Sequence, residues 1–295
     1  MAIQNVTIIG AGFMGSGIAQ VSAQAGLSVR LFDSTEEFAQ KGLATITKNL
    51  ERAVSKEKIT AAQKDEVLAR ITIGTDLKEA SDADIAIEAV FEDVTLKQGI
   101  FAQLDAICSE KAIFASNTSS IPISLLAGAM KLPGRFLGLH FFSPVQVMQL
   151  VEIIRGLKTS PDVLEASRAF VATIGKEGVL VKDVPGFLVN RLNYALRCEA
   201  YNLLKEGVAS IEDIDTATKL GLRHPMGPFE LADFVGLDIN LNGVGTLYNG
   251  YGDSKWKPYI VLEQLVRNGD LGRKTGKGWY DYTSGEKKMR DDINL

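Results

Sequence analysis

The sequence predicts an α/β Rossmann-type N-terminal domain with an inserted helical pair over residues 1–184, followed by an all-α C-terminal domain over 185–295. Three observations carry this. The chain opens on a β-branched run, Val6-Thr7-Ile8-Ile9, that ends in Gly10-Ala11-Gly12-Phe13-Met14-Gly15. Short apolar runs then alternate with helical patterns as far as residue 181, as expected of a mostly parallel sheet covered on both faces. Beyond Pro185-Gly186 the apolar residues recur every three and four positions, which is helical spacing.

The first element reads as strand, glycine turn and helix start. Gly10 allows the tight turn, Gly12 has no Cβ to obstruct a pyrophosphate, and Gly15 lets the following helix pack closely on the sheet. The helix N-terminus, opening at Phe13 and Met14, attracts phosphate charge. Glycine-rich turns also follow strands for purely structural reasons, so the next strand decides the reading. It covers 28–32 and ends at Asp33, 18 residues past Gly15, where a carboxylate accepts hydrogen bonds from an adenosine ribose and repels a 2′-phosphate. No arginine follows it in Ser34-Thr35-Glu36, so NAD is expected rather than NADP. A solvated turn aspartate is the plainer alternative.

Further strands are expected over 71–74, 84–89, 112–115, 136–140, 148–154 and 178–181. Residues 36–70 form a longer charged segment read as two inserted helices. In the second domain helices are expected over 187–206, 211–220, 228–233 and 258–267, with Gly207 and Gly221 as C-terminal stops.

Composition narrows the functional classes. A chain of 295 residues with 46% hydrophobic residues can bury a large core, and its net charge of −4 gives no support to nucleic-acid binding. Cys108 and Cys198 are too few for a disulfide framework and are expected to act as small buried hydrophobes in a reducing compartment. Without a histidine pair or a CxxC, no metal site is indicated. The first strand leaves no room for a leader peptide, and no apolar run approaches the roughly 20 residues of a membrane span, so a cytoplasmic location is expected.

His140 closes the strand over 136–140, and ligands of open α/β sheets gather beyond the carboxyl ends of strands. Glu152 interrupts an apolar run, where a carboxylate must be paired or strongly desolvated. If the two strands are neighbours joined through residues 141–146, Glu152 accepts from one imidazole nitrogen and leaves the other facing the cofactor. Hydride removal from an alcohol needs a base that titrates near neutrality, as imidazole does. A structural ion pair between strands is the other reading.

Ser116-Asn117-Thr118-Ser119-Ser120 follows the strand over 112–115; one serine is expected to cap a helix starting near Ile121 and another to hydrogen-bond a substrate oxygen. Asn190 falls in the first turn of the helix opening the second domain, as a cleft residue or a plain cap-region asparagine. Arg52 and Lys56, four apart on the inserted helix, could hold phosphates or simply be solvated. Glu92 and Lys97 follow the strand that contains Glu88, near the expected nicotinamide ribose; Glu88 itself has no evident role. His224, in a turn before a helix, reads as structural.

Seven segments, GAGFMGSGIAQ, IEAVFEDVTLKQGIF, ASNTSS, GLHFFSPVQVMQLVEIIRG, PGFLVNR, HPMGPFELADFVGLD and GRKTGKGWYDY, together resemble the L-3-hydroxyacyl-CoA dehydrogenase family, close to its bacterial 3-hydroxybutyryl-CoA branch, over nearly the whole chain. The resemblance implies a catalytic base at His140, an orienting acid at Glu152, and substrate contacts at Ser119 and Asn190. It implies cofactor-side roles for Glu92, Lys97, Asn117, Ser119, Ser143 and Lys274, besides Gly10, Gly12, Phe13, Met14, Gly15 and Asp33. It places Lys56 and Arg52 on the helix that contacts coenzyme A. Many members read HFFNP where this chain has Ser143, a change expected to bear on acyl chain length together with a cleft around Met148 and Phe229. The implied reaction is reversible, NAD-dependent oxidation of an (S)-3-hydroxyacyl-CoA, of short chain, to the 3-oxoacyl-CoA. The implied assembly is a homodimer through the helical domain.

Two other readings share the fold. One is an NAD-dependent dehydrogenase of a sugar acid or hydroxy acid without coenzyme A, which coenzyme A would not inhibit. The other is a crystallin-like structural relative, against which His140 and Glu152 argue.

Overall fold

The computed structural model describes residues 3–293 and divides the chain into two compact units, Met1–Val184 and Pro185–Leu295. The outer ends of the two expected domains, residues 1–2 and 294–295, lie outside the described residues.

The first unit runs β1 (Asn5–Ile9), α1 (Phe13–Gln24), β2 (Ser28–Phe32), α2 (Glu36–Ser55), α3 (Ala61–Ala69), β3 (Ile71–Gly74), β4 (Ile85–Glu88), α4 (Val94–Ile107), β5 (Ile113–Ser116), α5 (Ile123–Ala127), β6 (Phe136–Phe141), β7 (Leu150–Arg155), α6 (Pro161–Thr173) and β8 (Glu177–Lys182). The strands form one sheet in the order β3-β2-β1-β4-β5-β6-β7-β8. Successive residues of its central strands are buried alike, including Ile85, Ala86 and Ile87 of β4 and Phe136, Leu137, Gly138 and Leu139 of β6, because helices cover both faces. The inserted helices α2 and α3 are set by their caps: Thr35 accepts from the Phe38 amide, and Thr60 with Gln63 forms a reciprocal capping box.

Every adjacent pair is parallel except β6 and β7. The connection between those two is residues 142–149, and a parallel crossover needs roughly a dozen residues or more, so the chain can only double back.

The serine expected to cap a helix near Ile121 does not do so. Helix α5 begins at Ile123 behind Pro122, and its first amides, on Ile123 and Ser124, donate to the Asp183 carboxylate at 3.0 and 2.7 Å. A carboxylate 59 and 60 residues downstream therefore fills the cap, which local sequence cannot signal.

The second unit contains α7 (Val189–Lys205), α8 (Ile211–Gly221), α9 (Pro228–Val235), α10 (Leu237–Tyr251) and α11 (Ile260–Arg267). Gly207 ends α7 with φ 68°, whereas the left-handed residue after α8 is Arg223, φ 59°, so Gly221 is the last helical residue and not the stop. Helix α10 escaped the sequence reading because Gly243, Gly245 and Gly250 weaken its helical signal. Two of these have packing reasons: a Cβ on Gly243 would strike the Tyr194 ring, and one on Gly250 would strike Pro185. Phe229, expected beside a cleft, is instead wholly buried, with ring centroids 5.5 Å from Tyr201 and 5.0 Å from Trp279.

Two buried carboxylates brace this core. Asp215 accepts from the Phe229 and Glu230 amides, capping α9 from α8, and from the Tyr280 hydroxyl at 2.7 Å. Asp233 accepts from the Trp279 and Tyr280 amides at 2.8 and 3.0 Å and from the Tyr282 hydroxyl.

Candidate active site

The glycine turn lies between β1 and α1, at the point where strand order leaves β1 in both directions. Gly10 takes φ 103°, and a Cβ there would sit 2.6 Å from the Ala89 carbonyl oxygen; one on Gly15 would overlap the Gly10 carbonyl. Gly12, at the N-cap of α1, meets nothing within 4 Å. Close packing at Gly10 and Gly15 beside open space at Gly12 is what a pyrophosphate over a helix N-terminus requires. A cavity of about 500 Å³ opens there, lined by residues that include Gly10, Gly12, Phe13, Met14, Asp33, Val90, Phe91 and Leu96. Asp33 is part of this lining; its carboxylate accepts from the Ala11 amide and the Ser34 amide, both at 2.7 Å. A carboxylate has about four acceptor sites, so capacity for ribose hydroxyls remains. These residues fit a dinucleotide.

Farther along the same strand ends lies a relay of three side chains. His140 of β6 and Glu152 of β7 occupy directly opposed positions, with Nδ1 2.6 Å from Oε2, and both are buried. Because a carboxylate only accepts, Nδ1 carries the proton in the neutral imidazole and Nε2 presents its lone pair. Ser119 Oγ lies 3.0 Å from that Nε2.

Glu92 and Lys97 sit beside the Ser119 loop. Lys97 is buried between two carboxylates, 2.7 Å from Glu88 and 3.1 Å from Glu92. Glu92 Oε1 accepts from Thr118 Oγ1 at 2.5 Å, from the amides of Ser119 and Ser120 at 3.1 Å each, and from Ser120 Oγ at 2.9 Å. Burial pushes the Glu92 carboxyl up, but Lys97 and the Thr118 and Ser120 hydroxyls outweigh it and hold it below its ordinary value. Asn117 joins the site through its side-chain oxygen Oδ1, which accepts from the Phe141 amide at 2.9 Å and so ties the end of β5 to β6.

The remaining expected site residues are placed by their own elements. Ser143 is exposed in the loop after β6. Arg52 borders a surface depression of about 580 Å³ with Lys48, Asn49, Glu51 and Ser55. Lys56 is the exposed C-cap of the same helix, which ends at Ser55, and the chain turns at Glu57, φ 54°. In the second unit, Asn190 is half-buried in the first turn of α7, and Lys274 pairs with Asp238 at 2.5 Å.

Glu88, Ser116 and Thr118 also belong to this network, which residue type alone does not reveal. The available signal was a carboxylate closing the apolar run Ile85-Ala86-Ile87-Glu88, with a lysine nine residues on.

Comparison with known proteins gives a consistent result. The family profile "3-hydroxyacyl-CoA dehydrogenase, NAD binding domain" matches residues 5–184, and "3-hydroxyacyl-CoA dehydrogenase, C-terminal domain" matches 186–282. A 3-hydroxybutyryl-CoA dehydrogenase of Bradyrhizobium diazoefficiens is 47% identical over 95% of this chain and 96% of its own. One of Mycobacterium tuberculosis is 44% identical over 95% and 99%. The crystal structure of (S)-3-hydroxybutyryl-CoA dehydrogenase from Ralstonia eutropha superposes with a TM-score of 0.93 at 46% identity, covering 96% of this chain and 100% of that one.

Proposed function

The chain belongs to the 3-hydroxyacyl-CoA dehydrogenase family of NAD-dependent oxidoreductases, and from that premise we propose that it interconverts short-chain (S)-3-hydroxyacyl-CoA, 3-hydroxybutyryl-CoA foremost, and the 3-oxoacyl-CoA. The observation that carries the site assignment is the relay Ser119–His140–Glu152 at the carboxyl edge of the dinucleotide-binding sheet.

In the oxidative direction His140 Nε2 takes the proton of the substrate 3-hydroxyl while its Nδ1–H stays on Glu152, which keeps the ring in one tautomer and stabilises the imidazolium that forms. When bound, the oxidised nicotinamide supplies the hydride acceptor. Ser119, 3.0 Å from Nε2, holds the substrate oxygen within reach of the base, and Asn190 of the helical unit is assigned the second contact. Such positioning is worth several kcal/mol, about 7 or more in good cases. In the reductive direction His140 returns the proton.

The turn at Gly10, Gly12, Phe13, Met14 and Gly15 is assigned to the pyrophosphate and Asp33 to the adenosine ribose. Glu92, Lys97, Asn117, Ser143 and Lys274 are assigned to the nicotinamide side. Arg52 and Lys56 are assigned to the coenzyme A phosphates. A homodimer through the helical unit and a cytoplasmic location complete the reading, and light scattering that returned a monomer would remove the dimer.

The deciding experiment is NADH oxidation with acetoacetyl-CoA, run beside NADPH and beside free acetoacetate. Fast, NADH-selective turnover of the thioester alone is expected. Turnover of free acetoacetate at a comparable rate would instead favour an enzyme that has no need of coenzyme A.

A further inference from the structure

We propose that Glu88 is a positioning residue for this reaction: through Ser116, Lys97 and Glu92 it sets the backbone of residues 118–120, and with it the Ser119 hydroxyl against His140. The proposal rests on the reading of Ser119 and His140 given above.

Glu88 ends β4, directly opposite Ser116 at the end of β5. Its side chain is 0% exposed and that of Lys97 is 1% exposed, so neither charge has access to water and each persists only with partners. Glu88 Oε1 accepts from Lys97 Nζ at 2.7 Å and the Val90 amide at 2.6 Å, and Oε2 accepts from Ser116 Oγ at 2.6 Å.

Two routes lead out of this carboxylate. In the first, Ser116 Oγ donates to Glu88 and accepts the Thr118 amide at 3.2 Å. In the second, Lys97 reaches Glu92 Oε2 at 3.1 Å, and Glu92 Oε1 gathers four donors from Thr118, Ser119 and Ser120. The first route ends on Thr118 and the second on Thr118, Ser119 and Ser120, so both act on residues 118–120, the middle one of which places its hydroxyl 3.0 Å from His140 Nε2.

A buried ion pair is a poor device for stability alone, since a well-packed apolar pair of similar volume does as well or better. What Glu88 provides that an apolar residue cannot is a fixed ammonium aimed at the half-exposed Glu92, together with a hydroxyl oriented to receive the Thr118 amide.

The test is a double-mutant cycle on the full chain. Glu88→Gln and Ser116→Ala are made alone and combined with Ser119→Ala, then measured for acetoacetyl-CoA reduction and for NADH affinity by fluorescence. A third readout is the ¹⁵N histidine spectrum of the cofactor-free protein, which is simple because the chain has 2 histidines. Ser116→Ala should lower kcat by about 3- to 30-fold with NADH affinity within about twofold, and should add almost nothing on top of Ser119→Ala. Glu88→Gln should behave alike with a larger loss. Both should move the His140 Nε2 resonance in the direction that Ser119→Ala moves it.

Losses that multiply in the double variants, or an unmoved His140 resonance, overturn the proposal even where Ser119→Ala is impaired. If Ser119→Ala and His140→Ala both keep wild-type turnover, the site reading itself fails and the proposal falls with it. Should Glu88→Gln not fold, the Ser116→Ala arm decides alone.

Discussion

Nδ1 of His140 lies 2.6 Å from Oε2 of Glu152 because the two residues are paired across β6 and β7, the one antiparallel step in the sheet. Register, and not proximity in sequence, aims the carboxylate at the imidazole. A slip of one residue would turn Glu152 to the opposite face.

His140→Ala removes the proton acceptor while leaving the glycine turn and Asp33 untouched. Turnover of acetoacetyl-CoA should fall by about 10² to 10⁴, with NADH still bound. Steady-state rates alongside a fluorescence titration measure both, and wild-type turnover would remove the base assignment.

Glu152→Gln keeps the shape of the side chain but replaces an acceptor-only group with one that also donates. The ring loses its enforced tautomer and the imidazolium loses its counter-charge, so kcat should drop by about 10- to 1,000-fold while the KM for acyl-CoA changes little. An unchanged kcat would leave Glu152 as a structural strand pair.

Asp33→Asn removes the negative charge that disfavours a 2′-phosphate. The preference for NADH over NADPH, taken as the ratio of kcat/KM values, should fall at least about tenfold, equivalent to about 1.4 kcal/mol. A preserved ratio would assign the selectivity to another residue.

Gly15→Ala places a methyl group on the Gly10 carbonyl, with no flexible side chain to yield. Backbone must shift, so the sheet unit should lose about 1–3 kcal/mol in denaturant unfolding and NADH affinity should weaken with it. Gly12→Ala, in open space, should spare stability and weaken only NADH binding.

In the helical unit, burial pushes Asp233 up to about 6, with Asp215 adding to the shift against the donors from Trp279, Tyr280 and Tyr282. A carboxyl raised in the folded state binds more protons there than in the unfolded chain between its ordinary value of 3.8 and about 6. Its contribution to stability is therefore fully present below that window and lost as pH rises through it, by about 2–3 kcal/mol at 1.36 kcal/mol per pKa unit. Glu92, held below its ordinary value, acts in the opposite sense and loses its contribution under acid conditions. Thermal unfolding followed from pH 7 down to about 5 should show the helical transition moving upward, and a transition that falls steadily over that range would contradict the assignment.

Much of this protein was legible in the linear chain. Short apolar runs located the eight strands of the sheet, and the glycine turn with Asp33 located a cavity that fits a dinucleotide, because those features are local and their physics is carried by neighbouring residues. The charged segment between β2 and β3 was legible as two helices, and the structure adds their caps at Thr35 and at Thr60 with Gln63. Helix α10 stayed hidden because its glycines weaken the helical signal, and two of the three, Gly243 and Gly250, answer to Tyr194 and Pro185, distant in sequence. The α5 cap came from Asp183 for the same reason.

By itself, then, the sequence determined the succession of strands, the glycine turn and the candidate base with its acid, since each depends on residue type and short-range spacing. Only the tertiary structure decided what Glu88 touches, which donors Glu92 collects, and that Ser119 rather than Ser116 or Ser120 meets His140 Nε2. The contacts of Ser116, Ser119 and Ser120 span 21 to 28 residues of chain, and which hydroxyl reaches which acceptor depends on strand register and loop path at the scale of single ångströms. A buried carboxylate can be read from sequence as needing a partner, but the choice among several nearby donors is made only when the chain is folded around it.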